Sequence, residues 1–317
     1  MGRWIGPVGV IAAAVAALLL PMRASLAWGP EGHRVIALIA DRALQQGDPG
    51  VRAKILAILA TDKGKGLTKN DIASEATWAD VLREKSEEAR SATGAWHSTR
   101  FTPDNPDLAR ACFGRNPLPS GYPASRGPRD NCSIDKIVQF AAELKDPETS
   151  PGERLAAVQF LLNLAGDLND PLHAIDRGDQ GGECVAVQIG SKPPVRLSSY
   201  WQEVLVAEVV GSDPAKGAAR IAASVPAAEA QKWAEGNPEA WAQESYEVAK
   251  SVTYSFAAGQ PAGKHSFPAR PGQVEACPSV NLYRVDPDYE TKALATVKTQ
   301  LAKAGLRLSR VLRDGFK

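Results

Sequence analysis

The stretch FLLNLAGDLNDPLH, residues 160–173, places polar side chains at helical spacing inside an otherwise apolar segment. Asn163 and Asp167 are four residues apart, so a helix would present both on one face. A buried carboxylate is costly unless it is paired, so Asp167 needs a metal ion, an arginine or a helix N-terminus beside it. The stretch therefore predicts a central, buried helix that carries a polar site.

Local signals predict where this helix begins and what surrounds it. Ser150, Pro151 and Glu153 form an N-cap, a first-turn proline and a capping box. Residues 101–132 are rich in Pro, Gly, Asn and Arg and predict a long surface loop that two cysteines tie down. Apolar residues recur at helical spacing in the segments 32–44, 51–60, 71–84, 133–145, 200–210, 214–224, 226–234, 238–257 and 290–313.

These patterns predict an all-α fold, a single multi-helix domain over residues 28–317. One small β-hairpin is expected from CVAVQIG and PPVRL, residues 184–190 and 193–197. The chain has 317 residues and 44% apolar residues, enough for a sizeable core. The formal net charge of +1 excludes a strongly basic nucleic-acid binder that acts by counterion release.

The first 27 residues read as a secretory signal peptide. Arg3 precedes the apolar run VGVIAAAVAALLL, which is short for a membrane span, and Ser25 and Ala27 supply small residues at the cleavage site. An uncleaved anchor is the alternative, but Arg23 directly after the run favours cleavage. The mature chain would then begin at Trp28 and be secreted or periplasmic, with no membrane span after cleavage.

Export fits the even number of cysteines. Four cysteines in an exported chain suggest two disulfides, and the spacing alone allows three pairings. They are Cys112, Cys132, Cys184 and Cys277.

Three of the four histidines lie in unusual contexts, next to Trp, Gly or Pro-Leu. They are His33, His97 and His173, whereas His265 fits an ordinary surface or core position. Together with Asp80 and Asp167 they favour zinc, which takes imidazole and carboxylate ligands. The plain alternative is an exported helical protein in which these side chains are buried and paired.

The order of these segments resembles the zinc-dependent single-strand-specific nucleases of fungi and plants, relatives of the bacterial zinc phospholipases C. The resemblance is carried, in order, by WGPEGH at 28–33, WAD at 78–80, WH at 96–97, residues 160–173, DQGG at 179–182 and WAQES at 241–245. It implies the same helical fold and endonucleolytic cleavage of single-stranded DNA or RNA, with 3′-nucleotides as a further substrate. A monomer is expected.

The resemblance also implies a ligand set for the zinc ions. Trp28 would bind one ion through its free amine and carbonyl, together with His33 and Asp167. An α-amine can lose its proton to a metal near neutral pH. The second ion would be held by Asp80, His97, the position of Asn163, and a bridging Asp167. Catalytic roles fall on Asp80, Asp167 and on Arg83, which would contact the phosphate.

The sequence departs from the family pattern at several positions. Asn163 stands where the family has a histidine, and an amide is a weak zinc ligand. His173 remains at the third zinc site, but its partners are replaced by Ser198 and Gln202. Arg100 replaces a further acid. About two zinc ions are therefore expected, with the third site lost. Arg100 or Arg196 is a candidate to supply the missing positive charge.

Two further expectations follow from the resemblance. It implies a Cys112–Cys277 disulfide, which leaves Cys132 with Cys184. Base stacking near the cleft is expected, with Tyr122 and Trp201 as candidates.

Two other functions remain open at this point. The first is a catalytically degenerate pseudo-nuclease that binds a ligand or zinc without turnover, which the lost ligands favour. The second is a lipid phosphodiesterase like the related phospholipases, against which the WAQES segment argues.

Overall fold

The structure is a computed structural model that describes residues 27–62, 67–268 and 277–317. Residues 1–26 of the expected signal peptide therefore lie outside the described residues. Within the described ranges, no helix is both long and apolar enough to cross a bilayer.

The described chain is mainly helical, as predicted. The α-helices are α1 Gly29–Gly47, α2 Pro49–Leu59, α3 Ile72–Glu75, α4 Trp78–Lys85, α5 Glu87–Thr93, α6 Leu108–Ala111, α7 Ser133–Lys145, α8 Pro151–Leu168, α9 Pro171–Ala174, α10 Leu197–Ser199, α11 Leu205–Val210, α12 Pro214–Ala223, α13 Ala227–Ala234, α14 Pro238–Val248 and α15 Pro287–Gly315. Short 3₁₀ turns span Gly94–His97, Ala124–Arg126 and Ser255–Ala258, and π-helical turns span Tyr200–Val204 and Ala249–Thr253.

Helix α8 is the central helix that the opening stretch predicts. It begins where the capping signal places it, with the Ser150 hydroxyl accepting the Glu153 backbone N–H at 3.3 Å. Every residue from 157 to 168 is buried, because α1, α2, α4, α7 and α15 all pack around it. The polar side chains of α8 are therefore enclosed by other helices and must find partners inside the protein.

Helix α1 holds the expected mature N-terminus beside α8. Its apolar face packs on α15, α12 and α3, and the N-cap residue Trp28 and the helix residue His33 are both buried in the interior. Pro30 at the start of α1 is pre-organised for a first helical turn. The start of the expected mature chain is therefore a buried structural element rather than a loose tail.

The segment 71–84, predicted as one helix, is two. Asp71 caps a single turn, α3, by accepting the Ser74 backbone N–H, and the chain re-enters a helix only at Trp78. Helix α4 then directs Asp80 and Arg83 towards the buried end of α8. The sequence periodicity runs through the break because both pieces bury apolar residues against the same core.

The predicted hairpin is present but belongs to a larger sheet. The strands are β1 Val185–Ile189, β2 Val195–Arg196, β3 Gly263–His265 and β4 Val280–Val285. Their order is β2-β1-β4-β3, with β1 antiparallel to β2 and parallel to β4. Strands β3 and β4 pair over His265 and Val280, so His265 is a sheet residue. The sheet positions the segment before β1, which carries Glu183.

The disulfide pairing implied by the resemblance is wrong. Cys112 pairs with Cys132, closing the loop between α6 and α7, and Cys184 pairs with Cys277. The second pair follows from the sheet. Cys184 and Cys277 precede the neighbouring parallel strands β1 and β4, so both lie at the N-terminal end of these strands. The first pair follows from the short α6, whose end lies beside the start of α7, with the Cα atoms 4.8 Å apart.

Candidate active site

The indole of Trp28 anchors the expected N-terminus to the helix that carries Asp167. Trp28 is fully buried, and its Nε1–H donates a hydrogen bond to the carbonyl of Gly166 at 3.0 Å. Its backbone is left-handed, with φ of 40°. One helical turn and a half further along α1, His33 is also fully buried. The residue that would become the first of the mature chain therefore contacts Gly166, which directly precedes Asp167 in the sequence.

Two histidines converge on the carboxylate of Asp167. The Nδ1 atom of His97 lies 2.6 Å from Asp167 Oδ2, and the Nε2 atom of His33 lies 3.3 Å from Asp167 Oδ1. The three side chains come from α8, α1 and the 3₁₀ turn Gly94–His97 and are almost completely excluded from solvent. The structure therefore brings together three of the predicted ligands from separate parts of the chain.

Asp80 extends the cluster and forms an ion pair with Arg83. Arg83 Nη2 donates to Asp80 Oδ1 at 2.6 Å, and Asn163 Nδ2 donates to Asp80 Oδ2 at 2.9 Å. His33 Nε2 lies 3.7 Å from the same Oδ2 atom. Both predicted catalytic carboxylates therefore face one imidazole nitrogen of His33.

Burial and the carboxylates shift the pKa values in different directions. Burial works against a charged His33, yet the Asp167 carboxylate beside it and the charge of Asp80 raise the His33 pKa. Burial and the nearby Arg83 lower the pKa of His97. Burial opposes a charged Asp167 as well, but His97 and His33 outweigh it and hold the Asp167 pKa well below its usual range. The site thus keeps Asp167 anionic.

Part of the donor set suits a zinc ion, because unpartnered imidazole nitrogens lie beside the Asp167 carboxylate. Both ring nitrogens of His33 and the Nε2 atom of His97 are buried without a hydrogen-bond partner. Ligand atoms of a tetrahedral zinc ion, bound at about 2.0–2.2 Å, lie roughly 3.3–3.6 Å apart. The 3.3 Å between His33 Nε2 and Asp167 Oδ1 matches that spacing, whereas the 3.7 Å between His33 Nε2 and Asp80 Oδ2 is longer.

The position of Asn163 fits a second zinc ion poorly. The Asn163 amide nitrogen donates to both Asp80 and the Ala76 carbonyl, at 2.9 and 3.0 Å, which fixes the orientation of the amide. Its carbonyl oxygen is buried without a partner. Asn163 therefore acts as a hydrogen-bond donor to Asp80 rather than as an electron-pair donor beside it.

The residues expected around a third zinc site form hydrogen bonds among protein groups. His173 Nδ1 lies 3.1 Å from the buried Asp170 Oδ2, which also accepts from Gln202 Nε2 at 2.7 Å. Ser198 donates to Glu183 at 2.5 Å. Sequence reasoning missed Asp170 and Glu183, although an acid directly before Pro171 was the available signal.

The candidate arginines differ in position. Arg100 is exposed and donates to the Ser98 hydroxyl at 3.1 Å, and Arg196 donates to the Glu183 carbonyl at 2.8 Å. Arg83, by contrast, is bound to the Asp80 carboxylate, and its Nε atom is buried without a hydrogen-bond partner. Arg83 thus has a donor nitrogen still available within the cluster.

The two candidate stacking residues have opposite environments. Trp201 is fully buried, and its Nε1–H donates to the Tyr289 hydroxyl at 2.8 Å, so it has no free face for a base. Tyr122 is 58% exposed on the loop that the Cys112–Cys132 disulfide closes. Of these two candidates, Tyr122 is the one whose ring can stack on a ligand from solvent.

Gly166 leaves room for His33, and we expect Gly166→Ala to displace that ring. A Cβ atom at Gly166 would lie 2.8 Å from His33 Nδ1 and 2.9 Å from Cε1. We expect zinc affinity to fall roughly 10–100-fold, the size of effect seen when the support of a ligand is disturbed. Equilibrium dialysis with zinc measures it. Gly152→Ala, in the first turn of the same helix with open space around it, is the control; equal zinc affinity of the two variants would contradict the expectation.

The fold and this buried cluster agree with a class of helical nucleases. A family model described as S1/P1 Nuclease matches residues 28–317. The match covers nearly the whole chain, and the chain belongs to the S1/P1 nuclease family.

Several relatives are similar over nearly their full lengths. Endonuclease 4 of Arabidopsis thaliana is 22% identical over 303 residues, covering 92% of this chain and 90% of that protein. Nuclease P1 of Penicillium citrinum and Nuclease PA3 of a Penicillium species are each 23% identical over 312 residues, covering 90% of this chain and 97% of each relative.

Proposed function

We propose that this chain is an exported, zinc-dependent endonuclease that hydrolyses phosphodiester bonds in single-stranded DNA or RNA and also acts on 3′-nucleotides. The observation that carries the proposal is the buried cluster of His33, His97 and Asp167. Three of its four imidazole nitrogens, both of His33 and Nε2 of His97, lack hydrogen-bond partners, and the 3.3 Å from His33 Nε2 to Asp167 Oδ1 suits two ligands of one zinc ion. Membership of a nuclease family supports the reaction class.

Each group of the cluster has a separate task in this proposal. Trp28, His33 and Asp167 would hold zinc, which when bound supplies Lewis acidity at the phosphodiester. Asp80 holds Arg83 in place through the 2.6 Å ion pair. The unpartnered Nε–H of Arg83 can then donate to a non-bridging phosphate oxygen. The chain acts as a monomer, since one copy contains every group named.

Export and cleavage after Ala27 belong to the same proposal. The family match begins at Trp28, the first residue of the proposed mature chain. The two disulfides suit an oxidising compartment. Cleavage would convert the backbone nitrogen of Trp28 from an amide, which does not bind zinc, into an amine, which does.

A pseudo-nuclease is the second candidate, and a specific observation favours it. Asn163 donates to Asp80, and Gln202 donates to Asp170, so two side chains at positions where the family pattern has metal ligands act as hydrogen-bond donors. Such a protein would keep a zinc ion for folding or bind a nucleotide without hydrolysing it.

A substrate panel separates these functions. Mature protein is incubated with zinc and a single-stranded oligonucleotide, its duplex, a 3′-nucleotide and a choline-phosphate ester. The proposal expects cleavage of the single strand well above the duplex, with phosphate release from the 3′-nucleotide. Binding of the oligonucleotide without products would support the pseudo-nuclease. Turnover of the choline ester alone would indicate a lipid phosphodiesterase.

A further inference from the structure

We infer that the buried cluster binds a single zinc ion, and that Asn163 and Arg83 take the place of a second one. The inference rests on the proposed zinc dependence but not on any particular substrate. It concerns the space around Asp80. There, hydrogen-bond donors occupy both carboxylate oxygens, whereas the ring nitrogens of His33 beside Asp167 are unpartnered.

Both oxygens of the Asp80 carboxylate already have donors. Oδ1 accepts from Arg83 at 2.6 Å, and Oδ2 accepts from Asn163 at 2.9 Å. Asp80 is only 3% exposed, so these two donors supply the stabilisation that a buried carboxylate requires. A zinc ion at Asp80 is therefore not needed to satisfy the charge.

The charge of Arg83 also works against a second dication. The guanidinium of Arg83 cannot lose its proton in a protein. It forms an ion pair with Asp80, the carboxylate that would bind a second ion next to Asn163. A cation brought to the same carboxylate must either displace Arg83 or be repelled by it. Arg83 thus supplies the positive charge at this position permanently and without a metal.

The remaining donors do not complete a second tetrahedral site. The amide nitrogen of Asn163 faces Asp80 and Ala76, so its NH₂ group rather than a lone pair is directed at the carboxylate. The Nδ1 atom of His97 is engaged with Asp167 at 2.6 Å. The buried His97 Nε2 and Asn163 Oδ1 atoms lack hydrogen-bond partners, so this position offers two free donor atoms, fewer than the four N, O or S ligands that zinc takes.

Zinc content is the measurement that tests the inference. Mature wild-type protein, Asn163→His and Asn163→Leu are dialysed against the same zinc-buffered solution, and metal per folded chain is determined by elemental analysis. We expect about one zinc ion for the wild type and for Asn163→Leu, and about two for Asn163→His, because imidazole restores a nitrogen ligand. Asn163→Asp, which keeps the shape of asparagine, is used if the histidine variant does not fold.

Each result has one meaning. Two zinc ions in the wild type would overturn this inference and leave the proposed function intact. One ion in the wild type that stays at one in folded Asn163→His and Asn163→Asp would also overturn it, because Asn163 would not be what excludes the second ion. A wild type that binds no zinc would remove both this inference and the proposed zinc dependence.

Discussion

Replacing Asp167 with asparagine is expected to lower phosphodiesterase activity by at least ~10³-fold, the size of effect typical for loss of a central electrostatic group. Asp167 is the carboxylate that both buried histidines approach, with His97 Nδ1 at 2.6 Å and His33 Nε2 at 3.3 Å. The asparagine has the same shape but no charge, so it cannot balance a dication. Steady-state cleavage of a single-stranded oligonucleotide measures the loss, and zinc content is expected to fall with it.

A matched control separates loss of function from loss of fold. Asp135 is also a buried carboxylate, but it pairs with Arg115 at 2.8 Å in a different part of the molecule. Asp135→Asn is expected to keep its zinc and its rate within a few fold. If Asp167→Asn retained wild-type activity with a native circular dichroism spectrum, the assignment of the site to this cluster would be wrong.

A mature protein that keeps Ala27 in front of Trp28 is expected to lose roughly 10²-fold or more in activity, with weaker zinc binding. The only chemical change at Trp28 is that its amine becomes an amide nitrogen, which has no lone pair available for a metal. Folding is not expected to suffer, because Ala27 is itself buried, at 1% exposure, in the structure. Paired preparations beginning at Ala27 and Trp28 give the comparison.

The indole contact gives the corresponding control. In both preparations Trp28 Nε1 can donate to the Gly166 carbonyl, so thermal unfolding without zinc is expected to be the same. Added zinc should raise the melting temperature more for the chain that begins at Trp28, because a ligand that binds the folded state stabilises it. Equal zinc affinity and equal rates would exclude a role for the free amine.

The sequence predicted best where the physical signal is local. The start of α8 was predicted to the residue because Ser150 caps the neighbouring Glu153 N–H and Pro151 suits the first helical position, although the Glu153 carboxylate binds Ser125 and does not complete the capping box. Helical spacing alone predicted that Asn163 and Asp167 lie on one face of the helix, and both are buried. The polar cluster was predictable because buried charges need partners, whatever brings the partners together.

Long-range geometry was where the predictions were wrong or incomplete. Strand β4 pairs with β1 although some 90 residues separate them in the chain, and no local pattern specifies that pairing. The disulfides depend on the same geometry, since Cys184 and Cys277 meet only because those strands do. The resemblance placed the cysteines at family-like positions but did not determine which pairs lie within bonding distance.

The chemistry at substituted positions also needed the structure. The sequence shows that Asn163 is a weak ligand, but only the geometry shows its amide donating to Asp80. The sequence did not predict roles for Asp170 and Glu183, because their partners come from distant segments. Gln202 donates to Asp170, and Ser198 donates to Glu183. Trp201 looked available for stacking, yet its hydrogen bond to Tyr289 keeps it in the core.

Chelation and reconstitution test the central claim most directly. Mature protein beginning at Trp28 is assayed on single-stranded DNA as purified, after removal of metal with a chelator, and after zinc is returned. The account predicts cleavage that is lost on chelation, restored by zinc, and missing from Asp167→Asn under all three conditions. Undiminished cleavage after complete removal of zinc, or no cleavage by folded, zinc-loaded protein, would contradict it.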